Sequence, residues 1–317
     1  MLGVFYLCYT FATYMNLFIK KYSPLLVFLA AMLWATDAPF RVYLTKDLSS
    51  NFIVLVEHFI NLIFVLPLLF VSRESIKKLT LKDWIPVLII GVGGSALASI
   101  AFTQAFHYVN PSVAILLQKL QPVIAILLAG TILKEKMPKR FWAWAFIALL
   151  GAYVISFPSL IPRLYDGEVF NPNTIGVLYA LLAALLWGAS TVFGKYVLNT
   201  VTFEAMTALR FSVAFVFLLG LNFSTGELSE IGLLSTTDIL YLIIIGIVSG
   251  AMSLLLYYRG LQYTKASIAT LAELGFVFAS LLINTLFLGT NLALMQMAGI
   301  VLLLMAVLSL VRVNREE

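Results

Sequence analysis

Long apolar runs, bounded by short clusters of charged residues, proline, asparagine or serine, are the dominant pattern of the chain. The runs are continuous and do not alternate with polar residues, which favours helices over the strands of a membrane barrel. A membrane-crossing helix needs about 20 apolar residues. Runs near this length predict ten spans, at 23–44, 51–71, 84–107, 111–133, 138–158, 173–197, 202–221, 237–263, 266–288 and 291–311.

Composition narrows the class of protein. Of the 317 residues, 62% are hydrophobic and 11% are charged. An ordinary soluble domain has about 45–50% hydrophobic and about 25% charged residues. These values exclude a soluble globular enzyme, a disordered chain and a nucleic-acid-binding protein. The single cysteine, Cys8, excludes a disulfide framework and a thiolate metal site. No cofactor and no metal ion are therefore expected.

Three segments lie outside the predicted bundle. Residues 1–22 form an apolar N-terminal extension that lacks the basic start and the cleavage site of a secretory signal. It is interpreted as an upstream extension with Met15 as an alternative start, as an interfacial helix, or as an eleventh span. Residues 159–172 are expected to be an extracytoplasmic linker, and residues 312–317 a cytoplasmic tail.

Basic residues alternate between the connecting segments. Lys77 and Lys78 lie between spans two and three, and Lys134 and Lys136 lie between spans four and five. The segment 222–238, on the opposite side, is acidic. Because basic residues collect on the cytoplasmic side, this pattern predicts a multi-pass protein of the plasma or inner membrane. Both ends of the ten-span bundle are then cytoplasmic.

The chain contains an internal repeat. Leu29-Ala-Ala-Met-Leu-Trp34 reappears as Leu182-Ala-Ala-Leu-Leu-Trp187, and further matches keep an offset of 152 to 155 residues across four spans. The repeats, 23–158 and 173–311, hold five spans each. Because five is odd, the second repeat enters the membrane inverted, which is typical of transporters. We therefore expect an all-α integral membrane protein with ten transmembrane helices, arranged as two inverted five-helix repeats around a central cavity.

Two stretches carry a family resemblance. Gln118-Lys-Leu-Gln-Pro122, followed by Lys134-Glu-Lys136, resembles the fourth-span signature of EamA-type transporters of the drug/metabolite transporter superfamily. Tyr257-Tyr-Arg-Gly-Leu261 and Ala272-Glu-Leu274 resemble the eighth and ninth spans of that family. The resemblance covers residues 23–311 in two copies. It implies ten helices, a cavity between the halves and export of small metabolites.

The second copy departs from the family pattern. The family usually has proline where Val277 stands and an acidic residue where Thr290 stands. The second copy is therefore expected to lack a helix kink and a helix-end carboxylate, so that the two gates are not expected to behave alike.

Charges in the middle of spans are costly and mark pathways. Lys119 lies three residues before Pro122, and Glu273 corresponds in the repeat to Gln118, the neighbour of Lys119. The repeat axis is expected to bring spans four and nine face to face, with Lys119 near Glu273. The two form either a substrate or proton site, or a static buried pair, or they extend toward a membrane interface.

Other polar residues fall at repeat-related positions. Arg210 and His58 are counterparts in the two repeats. Arg210 is expected to contact either an anion or an ion-pair partner. Glu57 and His58 are expected to carry a proton, or else His58 is packed and neutral. Asp37 and Arg41 share a helical face with Trp34. That face is either a cavity wall or an internal Asp37–Arg41 pair at the outer end of the helix. The predicted substrate-binding residues are Trp34, Asp37, His58, Gln118, Lys119, Trp187, Arg210, Tyr257 and Glu273.

These features favour a secondary transporter that exports or exchanges small metabolites by alternating access, because no ATP-binding loop is present. Aromatic residues beside acids and bases rank amino acids and related zwitterions first as substrates. The partners expected are the small-molecule substrate, the lipid bilayer and protons, and a homodimer is left open. The alternatives are an uncoupled facilitator, a channel or a non-transporting structural protein. An enzyme is not expected, because no His-Glu-x-x-His or Gly-x-Ser-x-Gly motif occurs.

Overall fold

The fold was obtained as a computed structural model, which describes residues 17–109, 114, 117–157, 174–288 and 293–316. Predictions for residues 1–16, for the linker 159–172 and for Thr290 lie outside these residues. Within them the secondary structure is helical, without strands. The all-α prediction is therefore confirmed for the part of the chain that the structure describes.

The helices follow the predicted runs. In chain order they are α1 Ser23–Leu44, α2 Ser50–Val71, α3 Trp84–Ala105, α4 Gln121–Ile132, α5 Lys139–Ser156, α6 Thr174–Val197, α7 Phe203–Thr225, α8 Thr236–Leu261, α9 Ala266–Ile283 and α10 Leu294–Arg315. Short helical turns, Arg73–Ile76 and Glu227–Leu233, lie between α2 and α3 and between α7 and α8.

Length and composition qualify eight of these helices as membrane spans, counted over the described residues. The two exceptions are α4 and α5. The regular part of α4 has only 12 residues, because the backbone turns at residues 119–120. α5 begins with Lys139 and Arg140, which lower its mean hydropathy. The ten-span prediction is thus confirmed for eight spans.

Helices α4 and α9 are interrupted at equivalent positions of the repeat. Leu120 N–H donates to the Leu117 carbonyl at 3.1 Å, and Leu274 N–H donates to the Leu271 carbonyl at 3.2 Å. Bonds of this i→i−3 kind tighten the chain into a turn. The expectation that the second copy lacks a kink, because Val277 replaces proline, is therefore wrong. Gly275 follows this turn and packs closely on α1: a Cβ there would lie 2.7 Å from the Phe28 carbonyl oxygen, so the close approach requires glycine.

Helices α3 and α8 widen into π-helical segments at equivalent positions, Ile89–Leu97 and Ile245–Met252. Single π-turns often lie at functional sites, and both segments contain several small residues. Small residues let helices pack closely within lipid. These two segments therefore form tight contacts across the bundle, α3 with α7 and α8 with α2.

Helices of the two halves pack on each other in matched combinations. α1 packs on α8 and α9, and α6 packs on α3 and α4. α2 and α7 also contact each other directly, as do α5 and α10. At the α5–α10 crossing a Cβ on Gly299 would lie 2.9 Å from the Gly151 carbonyl oxygen. Each half therefore covers buried faces of the other.

Polar contacts fix the ends of α8 and α9. The Glu135 carboxylate accepts hydrogen bonds from the backbone N–H groups of Ala266 and Ser267, at 2.7 and 3.0 Å, and from the Ser267 hydroxyl at 2.6 Å. A carboxylate at a helix N-terminus satisfies N–H groups that lack an intrahelical partner. Lys195 donates to the carbonyls of Leu261 and Gln262 at the end of α8, at 3.0 and 2.9 Å.

Candidate functional site

A cavity lies between the two halves of the bundle. It encloses about 1220 Å³, part of which is open to solvent. Every residue predicted from the sequence to bind substrate lines this cavity. Their substrate-binding role stays a prediction, but the structure brings residues from both repeats to one space.

Glu273 lies at the interruption of α9 and is held by neutral groups only. Its Oε1 accepts from the hydroxyl of Tyr257 at 2.8 Å and from that of Thr191 at 3.1 Å, and its Oε2 accepts from the Gln121 amide. No Lys, Arg or His nitrogen of the described residues lies within 4.0 Å of it. A carboxylate has about four acceptor positions, so at least one on Oε2 is left for a proton or a ligand.

Lys119 does not pair with Glu273 in this structure. α4 packs on the first part of α9, as expected, but the Lys119 ammonium donates to the Ser156 hydroxyl of α5 and lies 5.7 Å from the Phe157 ring centre. The alternative of a static Lys119–Glu273 ion pair is therefore wrong, although both residues line the same cavity. The turn at residues 119–120 directs Lys119 toward α5, whereas Glu273 faces α6 and α8.

Two aromatic pairs line the cavity, and each pair joins one residue from each repeat. The rings of Trp34 and Tyr257 lie 5.1 Å apart, and those of Trp187 and Phe102 lie 5.2 Å apart. Trp34 and Trp187 occupy the same position in the repeat. The cavity therefore offers aromatic surface on both sides, which suits a planar or apolar part of a ligand.

Arg210 is buried and donates four hydrogen bonds, all to neutral groups. It donates to Ser95 Oγ at 3.1 Å, Ser190 Oγ at 3.1 Å, Tyr258 Oη at 3.0 Å and the Gly94 carbonyl at 2.9 Å. The sequence left open an anion contact or an ion pair; no carboxylate of the described residues lies within 4.0 Å. Arg210 therefore ties α7 to α3, α6 and α8.

His58 shares one of these partners. Its Nδ1 lies 2.8 Å from the Val54 carbonyl oxygen, which can only accept, and its Nε2 lies 2.9 Å from Ser95 Oγ. Because the carbonyl requires a hydrogen on Nδ1, the Ser95 hydroxyl can donate to Nε2 of a neutral ring. The geometry favours the packed, neutral alternative for His58 over a proton-carrying pair with Glu57.

Asp37, Arg41 and Glu57 form a buried charge cluster. Arg41 Nη2 lies 3.0 Å from Asp37 Oδ2 and 2.9 Å from Glu57 Oε2, and Arg41 Nη1 donates to the Thr103 hydroxyl at 3.1 Å. The Asp37–Arg41 pair expected as one alternative is present, and Arg41 lies in the last turn of α1 before Leu44. Arg41 is only 4% exposed, because α2 and α3 enclose it.

Several polar residues of the cavity were not among the predicted substrate-binding residues. Gln121 and Thr270 line it together with Ser95, and Gln121 and Thr191 bond Glu273. Serine, threonine and glutamine are common in membrane helices, so they do not stand out in an apolar run. The spacing of three residues between Gln118 and Gln121 in the fourth predicted span is the signal that could have identified Gln121.

The arrangement offers a small molecule both aromatic surface and hydrogen-bonding groups, among them one carboxylate with a free acceptor position. In the described residues no group of three or more His, Cys, Asp or Glu could hold a metal ion. Interrupted helices that bring polar groups to a cavity between two repeats are typical of secondary transporters.

Comparisons with known proteins agree with this arrangement. The model of the EamA-like transporter family matches residues 21–157 and 174–312. The chain is 33% identical over 300 residues to the riboflavin transporter ImpX of Fusobacterium nucleatum, covering 92% of this chain and 98% of that protein. It is 25% identical over 241 residues to an uncharacterized transporter of Archaeoglobus fulgidus, covering 74% and 80%.

A crystal structure of a further protein shares the fold. It superposes with a TM-score of 0.69 at 16% sequence identity, and the match covers 93% of this chain and 98% of the other. The two family matches cover both halves of the chain, which excludes an enzyme and confirms the transporter interpretation. The chain therefore belongs to the EamA-like transporter family.

Proposed function

We propose that this protein is a secondary transporter of riboflavin or a related flavin, and that it works by alternating access between two inverted five-helix repeats. The observation that carries the proposal is the cavity in which Trp34 and Trp187, one from each repeat, flank the hydrogen-bonding groups of Glu273, Gln118 and Gln121. A flavin has a flat aromatic ring system with a polar edge and a polyhydroxy chain. The 33% identity to a riboflavin transporter over 92% of the chain supports this substrate.

The matched contacts across the halves support the inverted-repeat mechanism. Cross-half pairs such as α1 with α9 and α6 with α4 are what a pseudo-two-fold axis would produce. The interrupted helices α4 and α9 would then exchange conformations as the cavity opens to one side of the membrane or to the other. We assign ten transmembrane helices to this arrangement, with α4 and α5 completing the first repeat.

We assign the coupling role to Glu273. One acceptor position of its Oε2 has no donor among the described residues, and the carboxylate faces the cavity. A proton that occupies this position in one orientation and leaves in the other would couple transport to a proton gradient. The sequence-based preference for amino acids rests on aromatic residues beside acids and bases, and it finds support in Lys119 and Glu273, two cavity residues of opposite charge that do not bond each other.

Transport by purified protein in lipid vesicles tests the substrate. Vesicles should accumulate labelled riboflavin, and the replacements Trp34→Ala and Trp187→Ala should each lower the rate at least about tenfold because they remove aromatic contact area. Trp142→Ala is the matched control, since Trp142 is 55% exposed and lies outside the cavity. If the vesicles transport amino acids but not riboflavin, the flavin proposal is refuted and a zwitterionic substrate is favoured.

Glu273→Gln tests coupling in the same vesicles. The variant should lose uphill transport driven by a proton gradient and keep downhill exchange, because glutamine retains hydrogen bonds but cannot release a proton. Glu204→Gln, on the first turn of α7, is the control. Full uphill transport by a stably folded Glu273→Gln protein would contradict the coupling role.

A further inference from the structure

Thr270 lies on the first part of α9 and has an unusual hydroxyl. The residue is 0% exposed, lines the cavity, and its Oγ1 has no hydrogen-bond partner in the structure. Buried hydroxyls without a partner are uncommon because desolvation is not repaid. A partner from outside the chain would satisfy this group.

Other threonines of the bundle behave differently. Their hydroxyls donate to the carbonyl four residues earlier, as helical threonines commonly do. The members of this group are Thr103, Thr207, Thr264 and Thr285, which bond the carbonyls of Ser99, Phe203, Gly260 and Leu281 at 2.8 to 3.0 Å. Thr270 makes no such bond to Ala266, so its hydroxyl is not committed to its own helix.

Thr270 and Glu273 lie three residues apart, which places them on one face of α9. Both line the cavity. Tyr257 and Thr191 bond Oε1 of Glu273, whereas Oε2 accepts only from Gln121 and keeps one acceptor position. This face of the helix therefore presents a free hydroxyl donor beside a free carboxylate acceptor, about one helical turn apart.

We propose that Thr270 is a specificity-determining residue that binds the polar edge of the substrate together with Glu273; the inference rests on the proposed flavin transport. The ligand chemistry that fits is an imide, in which a carbonyl adjoins an N–H. The Thr270 hydroxyl donates to the carbonyl, and the N–H donates to Glu273 Oε2. The pyrimidine ring of riboflavin carries such an edge, and the aromatic pairs would contact its ring system.

Riboflavin binding to the purified protein, followed by quenching of flavin fluorescence, tests this role. Thr270→Val keeps the shape of the side chain and removes the hydroxyl. We expect the dissociation constant to rise about tenfold, as for a lost hydrogen bond, while the thermal unfolding midpoint stays the same or rises because an unsatisfied polar group is gone. Thr270→Ser should bind like the wild type.

Thr264→Val is the matched control, because Thr264 is equally buried but its hydroxyl bonds the Gly260 carbonyl away from the cavity. This variant should unfold at a lower temperature and bind riboflavin normally. 3-Methylriboflavin, which lacks the imide N–H, should bind the wild type at least about tenfold more weakly.

The outcomes separate the inference from the proposal beneath it. Normal riboflavin binding by Thr270→Val, with binding by the wild type established, would overturn the role of Thr270 alone. Equal binding of riboflavin and 3-methylriboflavin would overturn the imide contact. Absence of riboflavin binding by the wild type would refute the flavin substrate itself, and this inference with it.

Discussion

His58 and Arg210, which occupy the same position in the two repeats, meet on a single hydroxyl group. His58 Nε2 and Arg210 Nε lie 2.9 and 3.1 Å from Ser95 Oγ. The hydroxyl accepts from the guanidinium and donates to the imidazole, so one small side chain of α3 joins α2 to α7. Loss of this hydroxyl would leave His58 Nε2 and Arg210 Nε without their hydrogen-bond partner.

Ser95→Ala should therefore lower the free energy of unfolding by about 1–3 kcal/mol. Ser212→Ala is the control, because the Ser212 hydroxyl bonds only the Ala208 carbonyl of its own helix. Reversible unfolding in mixed micelles measures both variants. Equal stability of Ser95→Ala and the wild type would show that the Ser95 hydroxyl contributes nothing to the free energy of unfolding.

Arg41→Met should destabilise the protein more strongly. The change strands the carboxylates of Asp37 and Glu57 in the interior, and removal of one partner of a buried pair costs about 3–5 kcal/mol. Arg73→Met provides the comparison, since Arg73 and Glu74 form a pair at the surface and such pairs contribute about 0–1 kcal/mol. If both variants unfold alike, the cluster is not a structural element.

Glu135→Ala should loosen the start of α9. The replacement removes three hydrogen bonds to Ala266 and Ser267, and loss of a helix cap costs about 0.5–2 kcal/mol. Unfolding measurements on Glu135→Ala and on Glu74→Ala, whose carboxylate is exposed, give the comparison. A stability loss no greater than that of Glu74→Ala would argue against the cap.

Gly299→Ala should disturb the crossing of α5 and α10. Its Cβ would lie 2.9 Å from the Gly151 carbonyl oxygen and from the Ile155 nitrogen, and backbone atoms cannot rotate away. We expect a loss of about 1–3 kcal/mol from overpacking. Gly220→Ala, with nothing within 4 Å of the new Cβ, should be neutral or stabilising by about 1 kcal/mol. The opposite order in unfolding experiments would contradict this packing.

The cytoplasmic position of the basic loops is tested by labelling intact cells. In a Cys8→Ser background, Lys78→Cys and Lys139→Cys should resist a thiol reagent that cannot cross the membrane, because positive loops stay inside. Ser229→Cys, on the acidic segment before α8, should react. Reaction of Lys78→Cys from outside would reverse the orientation.

The sequence predicted where the cavity residues lie but not how they bond. Charges such as Lys119 and Glu273 stand out in apolar runs because lipid does not tolerate them, so their inward position follows from composition. Their partners depend on the rotation of each helix. Lys119 turns to Ser156 and Glu273 to Tyr257, a choice made at the interruptions of α4 and α9.

The interruptions themselves were only half predictable. Pro122 signals the break in α4, since proline removes a backbone hydrogen bond. The break in α9 occurs without proline, next to the close approach of Gly275 to the Phe28 carbonyl, a contact between distant segments that no local pattern reveals. The burial of Arg41 likewise depends on contacts between distant segments, because residues of α2 and α3 enclose its side chain.

The matched packing of the two halves has a consequence for how the protein could be made. Each repeat covers faces of the other at several helix pairs, and α5 and α10 close one edge of the bundle. One repeat synthesised alone would expose its polar cavity wall to lipid. Two repeats synthesised as separate polypeptides hold the complementary faces needed to assemble, each inserted according to its own basic residues. Co-expression of fragments cut between residues 158 and 173 should thus yield a functional pair, whereas either fragment by itself should be degraded.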